Sequence, residues 1–167
     1  MPKDWTDNLL ARWASLRPGL DMDTYQVTAR ISRIGLHIAR HQEEVFGRLG
    51  LNRGEIGVLS ALRTAGPSQR LSPTRLFKGL MLSSAGITSR LDGLESRGLV
   101  KRTPDPGDRR AVLVELTDSG RKLLDEAVAA NTKSEGELLG SLTATEIASL
   151  GKLLRKMLAG LEPGSGG

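Results

Sequence analysis

The spacing of hydrophobic residues changes from a helical to a strand pattern within one stretch, residues 83–116. In its first half the apolar positions recur four and three residues apart, at Ile87, Leu91 and Leu94. This spacing places them on one face of a helix, for which Ser83 is a suitable cap residue. Gly98 follows at the point where helices commonly end in a left-handed residue. The pattern therefore predicts an amphipathic helix between Ser83 and Gly98.

The second half of this stretch carries two short β-type runs, LVKRT at 99–103 and AVLVEL at 111–116. They are joined by PDPGDRR, which is rich in turn-forming and charged residues. A helix followed by a strand, a charged turn and a second strand is the outline of a winged helix-turn-helix. The sequence therefore predicts a mainly α fold with a small β wing.

The polar face of the predicted recognition helix is small and able to form hydrogen bonds. We expect the following residues to contact bases or phosphates: Ser83, Ser84, Thr88, Ser89 and Arg90. Small side chains allow a helix to lie deep in a major groove that is about 12 Å wide. An ordinary amphipathic surface helix has the same pattern, so that alternative stays open for the helix taken alone.

The turn between the two predicted strands carries Asp108, Arg109 and Arg110. An exposed arginine at the tip of a hairpin suits the concentrated negative potential of a minor groove. A nearby carboxylate can hold a guanidinium in one orientation through a bidentate pair. We therefore expect Arg110 to enter the minor groove while Asp108 orients it. The alternative is a solvated charged turn.

Two helices are predicted between the long N-terminal segment and the recognition helix. Asn52 and Glu55 have the spacing of a capping box that begins the first of them. A Ser-Pro pair at 72–73 begins the second, which would be the first helix of the helix-turn-helix pair. Arg75 and Lys78 of this second helix could contact phosphates or lie on a solvated face.

Helical periodicity also predicts a short helix over 3–16, a long helix from about Asp23 to Leu49 and two helices after the wing. The apolar stripe of the last helix is wider than one small lobe needs, and it contains Ile147, Leu150, Leu153, Leu154, Met157, Leu158 and Leu161. Pairing with a second copy and with the N-terminal helices would remove this stripe from water.

These patterns predict one subunit over 1–167. Its helical segments 3–49 and 117–161 would form the dimerisation region, and 52–116 would form the winged helix-turn-helix lobe. Residues 162–167, EPGSGG, would be a flexible tail.

Charge adds an expected partner. The whole chain has a formal net charge of +5. Residues 63–110 hold ten Lys or Arg and four Asp or Glu, which is +6, so the excess is confined to the segment with the wing. Such a concentration favours double-stranded DNA as the partner. A winged helix used only for protein contacts is the alternative function, and it does not need that concentration of cations.

Catalysis and cofactor binding find no support in the residues. The sequence has no cysteine, no Gly-rich phosphate loop and no HExxH motif. His37 and His41 are four residues apart, a spacing that could ligate a metal only with further ligands; packing or an exposed polar contact is the alternative. We predict no enzyme, no cofactor and no metal site. No apolar run approaches the roughly 20 residues that span a bilayer, so we expect a cytoplasmic protein without a membrane partner.

The wing motif DPGDRR, the strand after it and the helix start LTDSGR at 116–121 resemble the MarR family of winged helix-turn-helix transcriptional regulators. The resemblance extends from about Asp21 to Leu161. It implies a homodimer that binds a pseudo-palindromic operator, usually as a repressor, and that is often released by a small-molecule effector.

The extra N-terminal helix resembles the urate-responsive branch of that family. Trp13, Arg90 and Arg102 match the ligand-binding residues of this branch in place, whereas Gly57 occupies the position of a pocket aspartate. This departure favours an aromatic acid or another small anion over urate as the effector. The absence of any effector remains an alternative.

Overall fold

The computed structural model describes residues 2–80, 84–108 and 111–162. Within them the chain forms the helices α1 (Trp5–Leu16), α2 (Met22–Gly47), α3 (Arg53–Arg63), α4 (Pro73–Gly79), α5 (Ser84–Ser96), α6 (Asp118–Leu138) and α7 (Ala144–Leu161). The strands are β1 (Arg70–Leu71), β2 (Val100–Pro104) and β3 (Val112–Leu116). The prediction of a mainly helical fold with a β wing is confirmed.

Local capping explains where several of these helices begin. At α3 the Asn52 side chain accepts a hydrogen bond from the Glu55 amide at 2.9 Å, and the Glu55 carboxylate accepts one from the Asn52 amide at 3.0 Å. At α4 the Ser72 hydroxyl accepts from the amide of Arg75, and proline occupies the first turn. Each cap satisfies amides that the first turn of a helix leaves without an intrahelical partner. The proposed cap of α5, Ser83, lies outside the described residues.

The three strands form an antiparallel sheet in the order β1-β3-β2. Strands β2 and β3 form the predicted wing hairpin: β2 begins and ends one residue later than predicted, and β3 begins one residue later. Strand β1 was not predicted, because two residues are too few to show an alternating pattern. It pairs Arg70 with Glu115 and Leu71 with Val114, which ties the segment before α4 to the wing.

A hydrophobic core joins α3, α4, α5 and the wing. Its fully buried members include Val58, Leu59 and Leu62 of α3, Leu76 of α4, Ile87, Leu91 and Leu94 of α5, and Val114 and Leu116 of β3. Burial of aliphatic side chains from each of these elements fixes the orientation of α5.

The chain divides into two compact units, one ending at Ala127 and the other beginning at Val128. The core described above lies in the first unit. In the second unit, the apolar residues of α7 from Ile147 to Leu161 are exposed.

The apolar face of α2 is only partly covered. Val45 is buried and Ile31 is half-buried, but Val27 and Ile34, which belong to the same predicted stripe, are exposed. The single chain therefore leaves the N-terminal half of this stripe in contact with water. This is the arrangement expected of a helix that packs against a second molecule.

Helix α1 is attached to α2 by polar contacts. The Arg30 guanidinium pairs with Asp4 at 2.8 Å and with Asp7 at 2.7 Å. Arg33 lies over the ring of Trp5 at 4.5 Å from its centroid. These contacts hold the N-terminal half of α1 against α2.

Candidate nucleic-acid interface

Helix α5 presents a polar face because its apolar face is committed to the core. Ile87, Leu91 and Leu94 are buried, while Thr88 and Ser89 are exposed. The spacing of four and three residues produces this separation directly. The α4–α5 pair thus has the arrangement in which the second helix of a helix-turn-helix can enter a major groove.

Arg90 lies between the polar face and the body of the lobe. Its side chain is half-buried, and one guanidinium nitrogen donates to the carbonyl of Gly86 at 3.1 Å. A Cβ at Gly54 would overlap this guanidinium, so glycine at the start of α3 makes room for it. Arg90 is thereby held beside α3 rather than extended into solvent.

The wing is a closed hairpin. The Asp105 amide donates to the Ala111 carbonyl at 3.0 Å, and the Ala111 amide donates to the Asp108 carbonyl at 2.9 Å. The Asp105 carboxylate accepts from the amide of Gly107 at 2.8 Å, which is the turn chemistry expected of Asp before Pro-Gly. Asp108 is exposed, whereas Arg109 and Arg110 lie outside the described residues.

The remaining predicted DNA contacts fall on α4 and at the start of α5. Arg75 and Lys78 are exposed on α4. Ser84 is the first residue of α5. The contacts proposed for all of these residues stay predictions.

A carboxylate at the centre of the sheet forms ion pairs with two of the basic residues in this segment. Glu115 of β3 forms ion pairs with Arg70 of β1 and with Lys101 of β2, the latter at 3.0 Å. The register places both cations opposite Glu115. Hydrogen bonds from Lys101 and Arg70 lower the pKa of the Glu115 carboxyl. The three charges fasten the strands together.

Arg102 connects the wing to α5. Its guanidinium pairs with Asp92 at 2.6 Å and also with Glu95. The backbone amide of Arg102 donates to Glu95 at 3.0 Å. The hydrogen bond to Asp92, with help from Glu95, raises the pKa of Arg102. A ligand anion at Arg102 would have to compete with these two carboxylates.

Arg97 was not singled out in the sequence, although it joins three elements. One guanidinium nitrogen donates to the Glu55 carboxylate at 3.0 Å and another to the Gly50 carbonyl at 2.8 Å. Its partners are 42 and 47 residues away along the chain. Of the residues in these contacts, the sequence drew attention only to Glu55, and only as part of a helix cap.

A cavity of about 220 Å³ lies beside α1, and the lining residues that the structure describes are Trp13, Leu20, Met22 and Tyr25. The predicted ligand residues Arg90 and Arg102 are not among these lining residues. Within the described ranges no group of three or more His, Cys, Asp or Glu comes together as a metal site. No described helix is both long enough and apolar enough to cross a membrane.

A model of the MarR family matches residues 49–111, which include α3, α4, α5 and β2. The HTH-type transcriptional regulator PecS of Dickeya dadantii is 33% identical over 150 residues, covering 90% of this chain and 90% of PecS. The chain belongs to the MarR family. It is therefore a winged-helix DNA-binding transcriptional regulator and not an enzyme, as the sequence predicted.

Solved MarR-family structures have the same fold. A mutant of E. coli MarR in complex with operator DNA is 29% identical with a TM-score of 0.70, covering 87% of this chain and 97% of that one. A structure that concerns regulation of DNA binding of Bordetella bronchiseptica BpsR by 6-hydroxynicotinic acid is 29% identical with a TM-score of 0.68, covering 78% of this chain and 91% of that one.

Proposed function

We propose that this MarR-family protein is a cytoplasmic homodimer that binds a pseudo-palindromic operator and represses transcription from it. The two α5 helices enter successive major grooves about 34 Å apart on one face of the duplex. The observation that carries the proposal is the division of α5, whose buried apolar face leaves Thr88 and Ser89 exposed. The relative bound to operator DNA supports the same use of the fold.

We assign the following roles to the polar and basic residues of the lobe. Ser83, Ser84, Thr88 and Ser89 read bases or phosphates, and Arg75 and Lys78 contact the backbone. Arg110 enters the minor groove beside Asp108 and Arg109. Arg90 contributes at the edge of the groove, since its guanidinium is held against α3. Phosphate contacts of this kind set the register of the helices, while groove contacts supply specificity.

Dimerisation uses the terminal helices, residues 3–49 and 117–161. The exposed apolar stripes of α2 and α7 support this assignment, because each exposes a row of aliphatic side chains that a second copy can cover. The winged lobe comprises residues 52–116. Of the predicted tail, residues 162–167, all but Glu162 lie outside the described residues.

A small aromatic effector regulates the binding. The cavity beside Trp13 and Tyr25 has the flat apolar walls that suit an aromatic ring. BpsR, whose DNA binding is regulated by 6-hydroxynicotinic acid, supports an aromatic acid as the class of ligand. Arg102 is not among the described residues that line this cavity. An acid group could bind Arg102 only by displacing Asp92 and Glu95, which would loosen the link between the wing and α5. Gly57 leaves the urate pocket without its carboxylate.

The wing supplies the test of this function. A duplex is first selected from a random library by the wild-type protein, and its affinity is measured for wild type and for Arg110→Ala. We expect the variant to bind about tenfold or more weakly with the dimer intact, because a minor-groove cation is lost. Wild-type affinity should also fall steeply with salt as counterions are released.

Two controls accompany that experiment. Lys152→Ala removes a cation from exposed α7 and should leave the affinity unchanged. Salicylate added to the wild-type complex should release the selected duplex. Normal binding by Arg110→Ala would refute the wing assignment, and a flat salt dependence would favour the protein-contact alternative.

A further inference from the structure

We propose that Arg97 is a positioning residue that couples the end of α2 to the recognition helix α5, and that it thereby sets the half-site spacing the dimer accepts. The inference rests on the proposed function, since spacing matters only to a dimer that reads two half-sites. Arg97 itself does not contact DNA in this proposal. It acts by fixing where α5 lies relative to the helix that carries the dimer surface.

Arg97 is attached to the turn that follows α2. The Gly50 carbonyl that accepts from Arg97 belongs to a turn closed on the last residues of α2. The Gly50 amide donates to the Gly47 carbonyl at 3.0 Å, and the Leu51 amide donates to the Phe46 carbonyl at 3.0 Å. Gly50 has a φ of 68°, a conformation that glycine adopts without strain. The turn therefore moves with α2.

Arg97 is also attached to α3. Glu55 uses its two carboxylate oxygens for different partners, one for Arg97 at 3.0 Å and the other for the Asn52 amide at 3.0 Å. Its side chain is only 12% exposed, so the carboxylate is largely withdrawn from water. An ion pair that shares a charge with a helix cap holds both ends in a defined geometry.

Arg97 is joined to the end of α5 through the backbone. Arg97 lies directly after Ser96, the last residue of the helix, and before Gly98 at a φ of 67°. The Gly98 and Leu99 amides bond back to the carbonyls of Glu95 and Leu94 at 2.8 and 2.9 Å. A short bonded segment thus transmits the position of the Arg97 guanidinium to the helix. Since its two acceptors lie on the α2–α3 side, Arg97 is a strut between the dimer helix and the reading helix.

The test compares Arg97→Gln and Glu55→Gln on the duplex that the wild-type protein selects from a random library. Arg97→Gln removes both contacts of the strut and a cation, whereas Glu55→Gln removes only the contact with α3. We expect Arg97→Gln to bind that duplex about tenfold more weakly and Glu55→Gln to lie between it and wild type, with the slope of log affinity against log salt unchanged in both. The double variant should be no worse than Arg97→Gln alone, because that single change already removes the Glu55 contact. Arg97→Lys, which retains the charge but not the fork, should fall between wild type and Arg97→Gln.

Duplexes with the same half-sites one base pair closer or farther apart supply the readout that general destabilisation would not produce. Wild type should strongly prefer the selected spacing, and both variants should lose most of that preference. Arg121→Gln is the matched control, because Arg121 is 36% exposed and paired with Asp118, and Arg97 is 38% exposed and paired with Glu55. It should behave as wild type. Thermal unfolding and sedimentation of each variant verify that folded dimers are compared.

Three results would overturn the inference. A reduced salt slope in Arg97→Gln with normal binding by Glu55→Gln would make Arg97 a direct phosphate contact. If both variants have wild-type affinity and wild-type spacing preference, the contacts of Arg97 do not affect DNA binding. If the variants bind more weakly but keep the wild-type preference for one spacing, Arg97 only stabilises the fold and does not set the spacing. If instead the wild-type protein selects no duplex at all, the proposed function fails before the strut is tested.

Discussion

The winged lobe and the last helix, α7, use their apolar residues in opposite ways. In the lobe, α3, α4, α5 and the wing bury their aliphatic side chains against one another, and Leu94 is completely inaccessible to water. In α7, a stripe with the same helical spacing is exposed along its length, and Leu153 is 66% exposed. The same helical spacing of apolar residues therefore leads to burial in the lobe and to exposure in α7.

This difference separates folding from assembly. The apolar residues of the lobe can stabilise a single chain, because burial removes them from water within it. Those of α7 contribute little until another surface covers them. The core of the winged lobe is therefore complete in one subunit, while the apolar stripe of α7 is left for another surface to cover.

The largest expected effect comes from placing a charge in the exposed stripe. Leu154→Asp should convert the dimer into monomers and weaken binding to the selected operator by about 100-fold or more, because a carboxylate would have to be desolvated at the interface. The lobe should stay folded. Sedimentation at micromolar concentration and fluorescence anisotropy with labelled duplex measure the two properties. A variant that remains dimeric would place the interface elsewhere.

A matched pair of truncations sharpens the comparison. Leu94→Ala should lower the free energy of unfolding by about 2–5 kcal/mol, because it leaves a cavity in the core of the lobe. In the monomeric Leu154→Asp background, Leu153→Ala should change it by about 0.5 kcal/mol or less, because most of that side chain is in water in the single chain. Chemical denaturation of both truncations in that background makes the measurement. A large loss for Leu153→Ala there would mean that the single chain itself buries this residue.

The smallest effect concerns the charged contacts of the sheet. The folded-state pKa of Glu115 is lowered from its ordinary value of 4.5 by Lys101 and Arg70. Its carboxylate therefore stabilises the fold above that ordinary value, and this contribution is lost as the pH falls through the folded-state pKa. Glu115→Gln should lower the melting temperature by about 2–4 °C at pH 7, with the difference from wild type shrinking in acid.

Glu126→Gln, on the exposed face of α6, removes the same charge away from the sheet and is the control for that measurement. It should melt as wild type does at pH 7. A difference between Glu115→Gln and wild type that stays constant down to pH 3 would show that charge on Glu115 is not what stabilises the sheet.

Much of the lobe was predictable because its signals are local. The cap formed by Asn52 and Glu55, the Ser-Pro start of α4 and the spacing of Ile87, Leu91 and Leu94 each depend on residues within a few positions of one another. Strand β1 was missed because its only signal is a partner 45 residues away, Glu115 opposite Arg70. Arg97 was missed for the same reason.

The candidate site divides in the same way. That Thr88 and Ser89 face away from the core follows from helical periodicity. Helical periodicity does not determine which partner an arginine side chain contacts, because a long side chain can reach several. Arg90, expected to contact DNA or a ligand, lies beside Gly54, and Arg102, expected to bind a ligand, lies between Asp92 and Glu95; both roles stay predictions.

The sequence by itself determined the order of the helices, the wing, the face that α5 exposes and the concentration of positive charge around them. These depend on the 3.6-residue and two-residue periods and on caps, all of which act over short stretches of chain. Only the tertiary structure decided which apolar stripes are covered and which cations are paired. Those outcomes depend on segments that lie far apart in sequence, because burial and ion pairing respond to distance in space rather than along the chain.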